Sequence, residues 1–313
     1  MLTRRDVLTT AAAGAALALD VRFGWAQGGN VITKAIPSTG ERLPIVGLGS
    51  SATFSRVAGA DDLAAIEGVF KAMLEQGGKV FDTAPGYGAS EEVAGKAVNE
   101  LKIRDSVFWA TKLNVAGFGG GPADPARARQ QLDTSFRRLG RDKIDLIQVH
   151  NVGDPATQLP ILAEAKSAGR LRYLGVTTTF EPQYATLERL MRNEKLDFIG
   201  IDYAVDNLDT EKTILPLAQE RGIAVLGYMP FGRTRLWDRV KGHEVPGWAA
   251  EFGAATWAQF FLKFAASHPA ITVVTPATSK ASHMLDNMMA AHGRLPDQAE
   301  RKRMVEFIES LPS

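Results

Sequence analysis

Eight short apolar runs, each rich in residues that favour β-strands, recur along the chain between residues 45 and 276. Stretches with apolar residues at three- and four-residue spacing, the pattern of an amphipathic helix, separate them. Strands this apolar are buried on both faces, as in a parallel sheet. The alternation therefore predicts an α/β fold, a closed (β/α)8 TIM barrel. The runs are IVGLG (45–49), KVFDT (79–83), SVFWATK (106–112), KIDLIQVH (143–150), RYLGVTT (172–178), LDFIGIDY (196–203), IAVLGY (223–228) and AITVVTP (270–276).

A short N-terminal β-hairpin is predicted before the barrel. VITKAIP and RLPIV read as its two strands, and a turn at Ser38 to Glu41 joins them. Among the predicted helices are DDLAAIEGVFKAMLEQG and DPARARQQLDTSFRRLG, and Gly140 ends the second of these. No proline-rich or low-complexity linker divides the sequence. Residues 27–313 are therefore predicted to form a single domain.

The first 26 residues are predicted to be an export signal. Arg4 and Arg5 precede an Ala/Leu-rich stretch from Val7 to Leu19, and small residues lead to Ala26. That stretch is shorter than the roughly 20 apolar residues of a membrane span. The order TRRDVL resembles the twin-arginine signal S/T-R-R-x-hydrophobic-Leu. We expect export by the twin-arginine machinery, cleavage after about Ala26 and a periplasmic mature protein without a stable membrane span. An uncleaved anchor and an amphipathic surface helix are the alternatives.

Charge and cysteine content exclude several classes of function. With 36 basic and 35 acidic residues, the chain has no excess charge for binding nucleic acid or an anionic membrane. It has no cysteine, which excludes disulfides, thiolate metal sites and a cysteine nucleophile. Four of the histidines, His243, His268, His283 and His292, form neither an H-x-H nor an H-E-x-x-H pattern. No metal site is therefore predicted.

Polar side chains close three neighbouring runs of the predicted barrel. Asp82, Lys112 and His150 follow the apolar residues of the second, third and fourth runs, and Tyr87 follows Asp82 in the loop FDTAPGYG. Barrel active sites take residues from several strand ends at one face. A rim lysine or a lone histidine is by itself more often structural. Taken together, the four side chains are predicted to form a catalytic group.

The chemistry of this group suits a reaction in which an oxygen gains or loses a proton. A phenol has a pKa of about 10 and needs tuning before it acts as a general acid at neutral pH. A neighbouring ammonium favours the phenolate, and a carboxylate keeps that ammonium charged. A neutral imidazole can hydrogen-bond to a carbonyl oxygen. The reaction at carbon stays open, because hydride transfer from a cofactor and Schiff-base chemistry at Lys112 both fit.

FDTAPGYGASEEVAGKAV resembles the signature F-D-T-A-x-x-Y-G-x-x-E-x-x-x-G of the aldo-keto reductase superfamily, and the resemblance extends over residues 31–313. It implies a barrel that binds a nicotinamide cofactor across its mouth without a Rossmann fold. It also implies that Asp82, Tyr87, Lys112 and His150 are the catalytic residues. Tyr87 would protonate the carbonyl oxygen while hydride passes from the nicotinamide to carbon. The implied reaction reduces a small-molecule carbonyl, an aldehyde, ketone or sugar-like compound, to an alcohol.

Three further segments, GVTTTF, GYMPFG and PATSKASHMLDN, resemble cofactor-binding segments of the superfamily. The resemblance implies NADPH as the cofactor, with NADH as the alternative. It also implies that Tyr228 stacks on the nicotinamide ring. The residues implied in cofactor binding are Thr177, Thr178, Tyr228, Phe231, Gly232, Thr278, Ser279, Lys280, His283 and Asn287.

The chain departs from the superfamily at several of these positions. Thr178 stands where asparagine is usual, Gly200 where glutamine is usual, and Met229 where serine is common. His283 replaces a frequent arginine, which holds a 2′-phosphate and stacks on adenine, and Lys280 could compensate. The two lost amides leave a second hypothesis open. In it, an exported barrel binds nicotinamide or another ligand with little turnover and acts as a sensor or interaction module.

Two loop features carry weaker predictions. GFGGGP, residues 117–122, lacks the third glycine of a dinucleotide fingerprint and is predicted to be a mobile loop over the barrel mouth. Four aromatic residues are placed in loops after the first, third and seventh runs. They either line a substrate pocket or anchor the loops. These residues are Phe54, Phe118, Trp237 and Trp248.

Overall fold

The computed structural model describes residues 31–60, 62–116 and 120–312. The strands are β1 Thr33–Ala35, β2 Arg42–Pro44, β3 Leu48–Gly49, β4 Val80–Asp82, β5 Phe108–Leu113, β6 Ile144–Val149, β7 Leu171–Thr178, β8 Phe198–Asp202, β9 Ala224–Tyr228 and β10 Val273–Val274. In this part of the chain β3 to β10 form one eight-stranded sheet in sequence order, and neighbouring strands pair in parallel. β1 and β2 pair antiparallel, which confirms the predicted hairpin.

Helices connect the strands and cover the outer face of the sheet. They are α1 Thr53–Gly59, α2 Leu63–Glu75, α3 Ser90–Glu100, α4 Pro125–Leu139, α5 Pro155–Ser167, α6 Tyr184–Asn193, α7 Ile214–Arg221, α8 Arg235–Arg239, α9 Trp257–Ser267, α10 Ala281–Met289 and α11 Gln298–Ser310. Gly140 follows α4 with φ of 63°, a left-handed conformation that glycine adopts without steric cost. This confirms its predicted place at the end of the helix.

The sheet closes on itself, which confirms the predicted (β/α)8 barrel. Parallel bridges pair Val46 with Val274 and Gly49 with Ala277, so the first and last strands of the sheet meet. The two backbones approach closely at this seam. A Cβ atom added at Gly49 would lie 2.7 Å from the carbonyl oxygen of Thr275. Glycine at this position therefore permits the closure.

Alternate residues of the barrel strands fill its interior. They form an apolar cluster separate from the larger one between the strands and the helices, as the two-residue period of a strand requires. Ile36 and Leu43 of the hairpin belong to the interior cluster. The hairpin therefore covers the end of the barrel where the strands begin. The opposite end, where the strands finish, carries the polar residues.

Some predictions fall outside the described residues. These are the export signal at residues 1–26, Phe118, and residues 117–119 of the predicted loop GFGGGP. None of the helices in the described ranges is long and apolar enough to cross a membrane.

Candidate active site

A buried ion pair joins the ends of two adjacent strands. β4 and β5 pair with Asp82 opposite Ala110, so Lys112 lies one inward-facing position further along β5. The Lys112 ammonium donates to Asp82 Oδ2 at 2.7 Å and to the carbonyl oxygen of Thr83 at 2.9 Å. The side chains of Lys112 and Asp82 are 1% and 5% exposed. The pair is therefore shielded from bulk water.

Burial and mutual attraction act against each other in this pair. Burial raises the pKa of the Asp82 carboxyl, and the Lys112 ammonium and the Tyr228 hydroxyl oppose that rise. Burial lowers the pKa of Lys112, but the Asp82 carboxylate and Tyr87 together raise it above its ordinary value. The ammonium therefore stays charged, because its counter-ion is held in direct contact.

Tyr87 lies on a tight turn between β4 and α3. Its amide donates to the carbonyl oxygen of Ala84 at 3.0 Å, which closes the turn, and Gly88 follows with φ of 57°. The turn places the phenol over the ion pair. The Lys112 ammonium lies 5.2 Å from the centroid of the Tyr87 ring, and the ring meets the His150 imidazole edge to face at 5.9 Å.

His150 begins the 3-10 turn that follows β6. Burial, with the nearby Lys112 ammonium, lowers its pKa to about 3, so the imidazole is neutral at physiological pH. Its Nδ1 atom is buried and has no hydrogen-bond partner among the described residues. The backbone just after it is strained, because Asn151, Val152 and Asp154 have φ of 54°, 42° and 43°.

The strained turn is held from both sides. The Asp154 carboxylate accepts from the amides of Ala123 at 2.8 Å and Thr157 at 3.3 Å. These bonds tie the turn to the segment before α4 and to the first turn of α5. The conformation that presents His150 to the cavity is therefore fixed by the surrounding fold.

These side chains line one large cavity at the open end of the barrel. Its volume is about 1040 Å³. The four predicted catalytic residues lie on its wall together with most of the predicted cofactor-binding residues. Those it brings together are Asp82, Tyr87, Lys112, His150, Thr177, Tyr228, Phe231, Thr278, Ser279, Lys280, His283 and Asn287.

Two predicted cofactor-binding residues do not line the cavity. The Thr178 hydroxyl donates to Gln183 Oε1 at 2.5 Å and accepts from the Phe180 amide at 3.1 Å, and the residue is fully buried. Its side chain is engaged with the following turn, and Thr179 lines the cavity instead. Gly232 has φ of 56° and lies against the Arg235 side chain, while its neighbours Phe231 and Arg233 line the wall.

The aromatic residues left open by the sequence divide between the two alternatives. Trp237 lines the cavity, is 37% exposed and packs on Phe231 at 4.9 Å between ring centroids. Phe54 instead lies in α1, fully buried against Phe70 and Phe81. Trp248 packs in the outer core against three phenylalanines. Trp237 is therefore the pocket residue of the three that the structure describes.

Sequence reasoning missed several residues of the site. Gln148, which donates to the Tyr228 hydroxyl at 2.9 Å, shares an inward face with His150 in the alternation of its run. Asp286 lines the cavity and matches the acidic position of the motif in PATSKASHMLDN. Both signals were readable in the sequence. Asn151 and Trp257, which also line the cavity, carry no comparable signal.

The cavity offers an anion site at one end. α10 begins at Ala281 with no side chain capping its first turn, and Ser279, Lys280 and His283 line the wall beside it. Free amides at a helix N-terminus, with a lysine beside them, favour a phosphate. Within the described residues, no cluster of three or more His, Asp or Glu side chains is arranged to hold a metal ion.

A comparison with protein-family models decides which family this geometry represents. The model described as the aldo/keto reductase family matches residues 46–308. The chain belongs to the aldo/keto reductase family. This confirms the resemblance that the motif around Asp82 and Tyr87 indicated.

Relatives within the aldo/keto reductase family are moderately similar. Aldo-keto reductase YhdN of Bacillus subtilis (strain 168) is 33% identical over 204 residues, which cover 62% of this chain and 60% of that protein. The NADH-specific methylglyoxal reductase of Escherichia coli (strain K12) is 28% identical over 191 residues, 54% of this chain and 57% of that enzyme. This chain therefore spans less than two thirds of either relative.

The fold matches solved aldo-keto reductases over most of its length. A crystal structure of an aldo-keto reductase from Klebsiella pneumoniae in complex with NADPH superposes with a TM-score of 0.73 and 21% identity, covering 89% of this chain and 96% of that one. The holo form of an aldo-keto reductase from Bacillus halodurans superposes with a TM-score of 0.71 and 21% identity over 89% and 96% of the two chains.

Proposed function

We propose that this protein is an NAD(P)H-dependent carbonyl reductase that converts an aldehyde, ketone or sugar-like compound to an alcohol. The observation that carries the proposal is the convergence of Tyr87, the Lys112–Asp82 pair and His150 on one cavity. Family membership supports the reaction class. When bound, a reduced nicotinamide supplies hydride to the carbonyl carbon.

Tyr87 gives the proton that completes the reduction. As the carbonyl carbon gains hydride, its oxygen takes the electron pair of the former π bond and then the phenolic proton. The Lys112 ammonium, 5.2 Å from the centroid of the Tyr87 ring, stabilises the phenolate that remains. Asp82 holds that ammonium charged and in place. The phenolate then regains a proton from water.

His150 orients the substrate without competing for the proton. Because its imidazole is neutral above about pH 3, it does not protonate the substrate. A neutral imidazole can hydrogen-bond to the carbonyl oxygen and direct it toward Tyr87. The tie between Asp154 and its two neighbouring amides keeps the imidazole in position.

The cavity wall fits a nicotinamide dinucleotide. The start of α10, with Ser279 and Lys280, suits a phosphate, and Asn287 adds a polar group beside it. Tyr228 offers an aromatic surface on the floor of the cavity. The solved relative from Klebsiella pneumoniae holds NADPH, and the relative from Escherichia coli is described as NADH-specific. We therefore propose NADPH, with NADH as the alternative.

Direct titration separates this proposal from the second hypothesis. The purified protein is titrated with NADPH and with NADH while tryptophan and nicotinamide fluorescence are followed, and turnover is then measured with small aldehydes, ketones and sugars. Binding with turnover supports the reductase. Binding without turnover on any carbonyl supports the sensor or interaction module, and failure to bind either dinucleotide overturns both the cofactor and the reaction.

We also propose that residues 1–26 direct export through the twin-arginine machinery, with cleavage after about Ala26. The paired Arg4 and Arg5 before a short apolar stretch support this. The route carries folded proteins, so the barrel would travel with its cofactor bound. An Arg4→Lys, Arg5→Lys double variant is expected to stay in the cytoplasm in cell fractionation. Equal export of both forms would contradict the proposal.

A further inference from the structure

The Tyr228 ring occupies the space that a side chain at position 200 would fill. A Cβ atom added at Gly200 would lie 2.3 Å from Cε2 of Tyr228 and 2.8 Å from its hydroxyl oxygen. Non-bonded atoms do not approach this closely, so the ring and any side chain at position 200 exclude each other. The inward place of the ring therefore depends on the glycine that stands where the superfamily usually has glutamine.

In this place the Tyr228 hydroxyl is bonded on two sides. It lies 3.2 Å from Asp82 Oδ1 and 2.9 Å from Gln148 Nε2. An ionised carboxylate only accepts, so the hydroxyl proton points to Asp82, and the hydroxyl accepts from the Gln148 amide. Asp82 is thus held at one oxygen by Tyr228 and at the other by Lys112.

We propose that Tyr228 is a positioning residue that keeps Asp82 ionised, and that the absence of a side chain at Gly200 is what allows it to do so. The inference rests on the proposed function, since it concerns the pair that holds Tyr87 ready. It gives the lost glutamine a consequence. The chain exchanges an amide on the cavity wall for a second phenol in the buried network.

The charged and titratable groups around Asp82 leave its ionisation dependent on this bond. Lys112 faces it from β5, Tyr228 from β9, Tyr87 from the following turn and His150 from the turn after β6. Burial, with the Asp82 carboxylate, raises the pKa of Tyr228 well above its ordinary value, so it remains a donor. His150 stays neutral above about pH 3. Loss of the Tyr228 donor therefore raises the pKa of Asp82 further.

Two variants and a control test the proposal in the full-length protein. Tyr228→Phe removes only the hydroxyl, and Gly200→Ala forces the ring out of its slot. Tyr173→Phe is the control, because its buried phenol bonds to Thr39 and Glu41 at the other end of the barrel. The ¹³C resonance of the Asp82 carboxyl, assigned with Asp82→Asn, is titrated without any nicotinamide in each protein.

The titration midpoint of Asp82 is expected to rise by about one pH unit in Tyr228→Phe, the size of a hydrogen bond to a charged group. It is expected to rise in Gly200→Ala and to stay unchanged in Tyr173→Phe. The acid limb of kcat/KM for carbonyl reduction is expected to shift by the same amount in Tyr228→Phe. An unchanged midpoint in Tyr228→Phe would overturn the inference.

The two readouts keep this inference separate from the proposed function. A wild-type protein that reduces no carbonyl with NADPH or NADH would overturn the reductase. The resonance of Asp82, measured without cofactor, would still decide whether Tyr228 controls its charge. A shifted midpoint with an unshifted acid limb would overturn the part of the inference that links Tyr228 to catalysis.

Discussion

The Lys112 ammonium lies 2.7 Å from the Asp82 carboxylate, and the two side chains are almost entirely buried at the ends of neighbouring strands. Removing one member of such a pair leaves an uncompensated charge in a medium that solvates it poorly. The pair that we assign to catalysis is therefore also a point on which the stability of the barrel depends.

Asp82→Asn is expected to lower the free energy of unfolding by about 3–5 kcal/mol, because it leaves the Lys112 ammonium buried without its counter-ion. Carbonyl reduction is expected to be lost as well, since the ammonium is no longer held charged beside Tyr87. Urea unfolding followed by tryptophan fluorescence measures the first effect, and a steady-state assay measures the second.

An exposed pair provides the control. Arg129 and Glu164 form a salt bridge whose side chains are 53% and 58% exposed. Glu164→Gln is expected to change the free energy of unfolding by less than about 1 kcal/mol and to leave activity intact. Similar losses of stability in Glu164→Gln and Asp82→Asn would contradict the importance of burial at the active site.

The free energy of unfolding is expected to fall as pH drops below about 6.5, in part because of His150. Burial and the Lys112 ammonium lower its pKa from 6.5 to about 3. Between these values the unfolded chain binds a proton at His150 and the folded chain does not. Each pH unit in this window therefore costs up to about 1.4 kcal/mol.

His150→Gln is expected to flatten this slope in urea unfolding measured between about pH 4 and pH 7. His268, whose pKa burial lowers to about 4, adds a slope of the same sign in both proteins. His243→Gln changes an exposed histidine and is the control. An equal slope in wild type and His150→Gln would show that the imidazole is not held neutral by the fold.

His283→Arg is expected to increase the preference for NADPH over NADH by roughly 10-fold, because a guanidinium binds the 2′-phosphate with paired hydrogen bonds. Lys280→Ala is expected to weaken NADPH binding and to affect NADH little. Fluorescence titrations with both dinucleotides measure these ratios. A Lys280→Ala variant that lost affinity for both equally would move the 2′-phosphate site away from the start of α10.

Trp237→Ala is expected to lower kcat/KM for aromatic aldehydes by about 10-fold relative to small aliphatic aldehydes, since it removes a cavity-facing aromatic surface. Trp248→Phe is the control, because Trp248 packs in the outer core and not on the cavity. It is expected to reduce stability without changing the ratio of the two substrate classes. A changed ratio in the control would weaken the assignment of Trp237 as the pocket residue.

Much of the fold could be predicted because its signal is local. The two-residue alternation that puts Phe108, Ala110 and Lys112 on one face is written in six consecutive positions of the sequence. The barrel, the hairpin and the end of α4 at Gly140 all follow from such short patterns. The inward direction of the catalytic lysine follows from them too.

The rest of the site depends on contacts between distant segments. Tyr228 and Asp82 bond across 146 positions, and their contact requires an empty space at Gly200 that no single segment reveals. Thr178 matched a cofactor-binding position, yet its hydroxyl bonds to Gln183 and the Phe180 amide. Strand alternation gives the face of a side chain. Packing between strands decides which partner it meets.

The most direct test of the account replaces Tyr87 with phenylalanine. Tyr87→Phe keeps the ring beside Lys112 and His150 and removes only the phenolic proton. We expect kcat for carbonyl reduction to fall by roughly 10²- to 10⁴-fold, the contribution of a general acid, while the affinity for NADPH is unchanged. Full reductase activity in Tyr87→Phe, with NADPH bound as in the wild type, would contradict the assignment of Tyr87 as the proton donor.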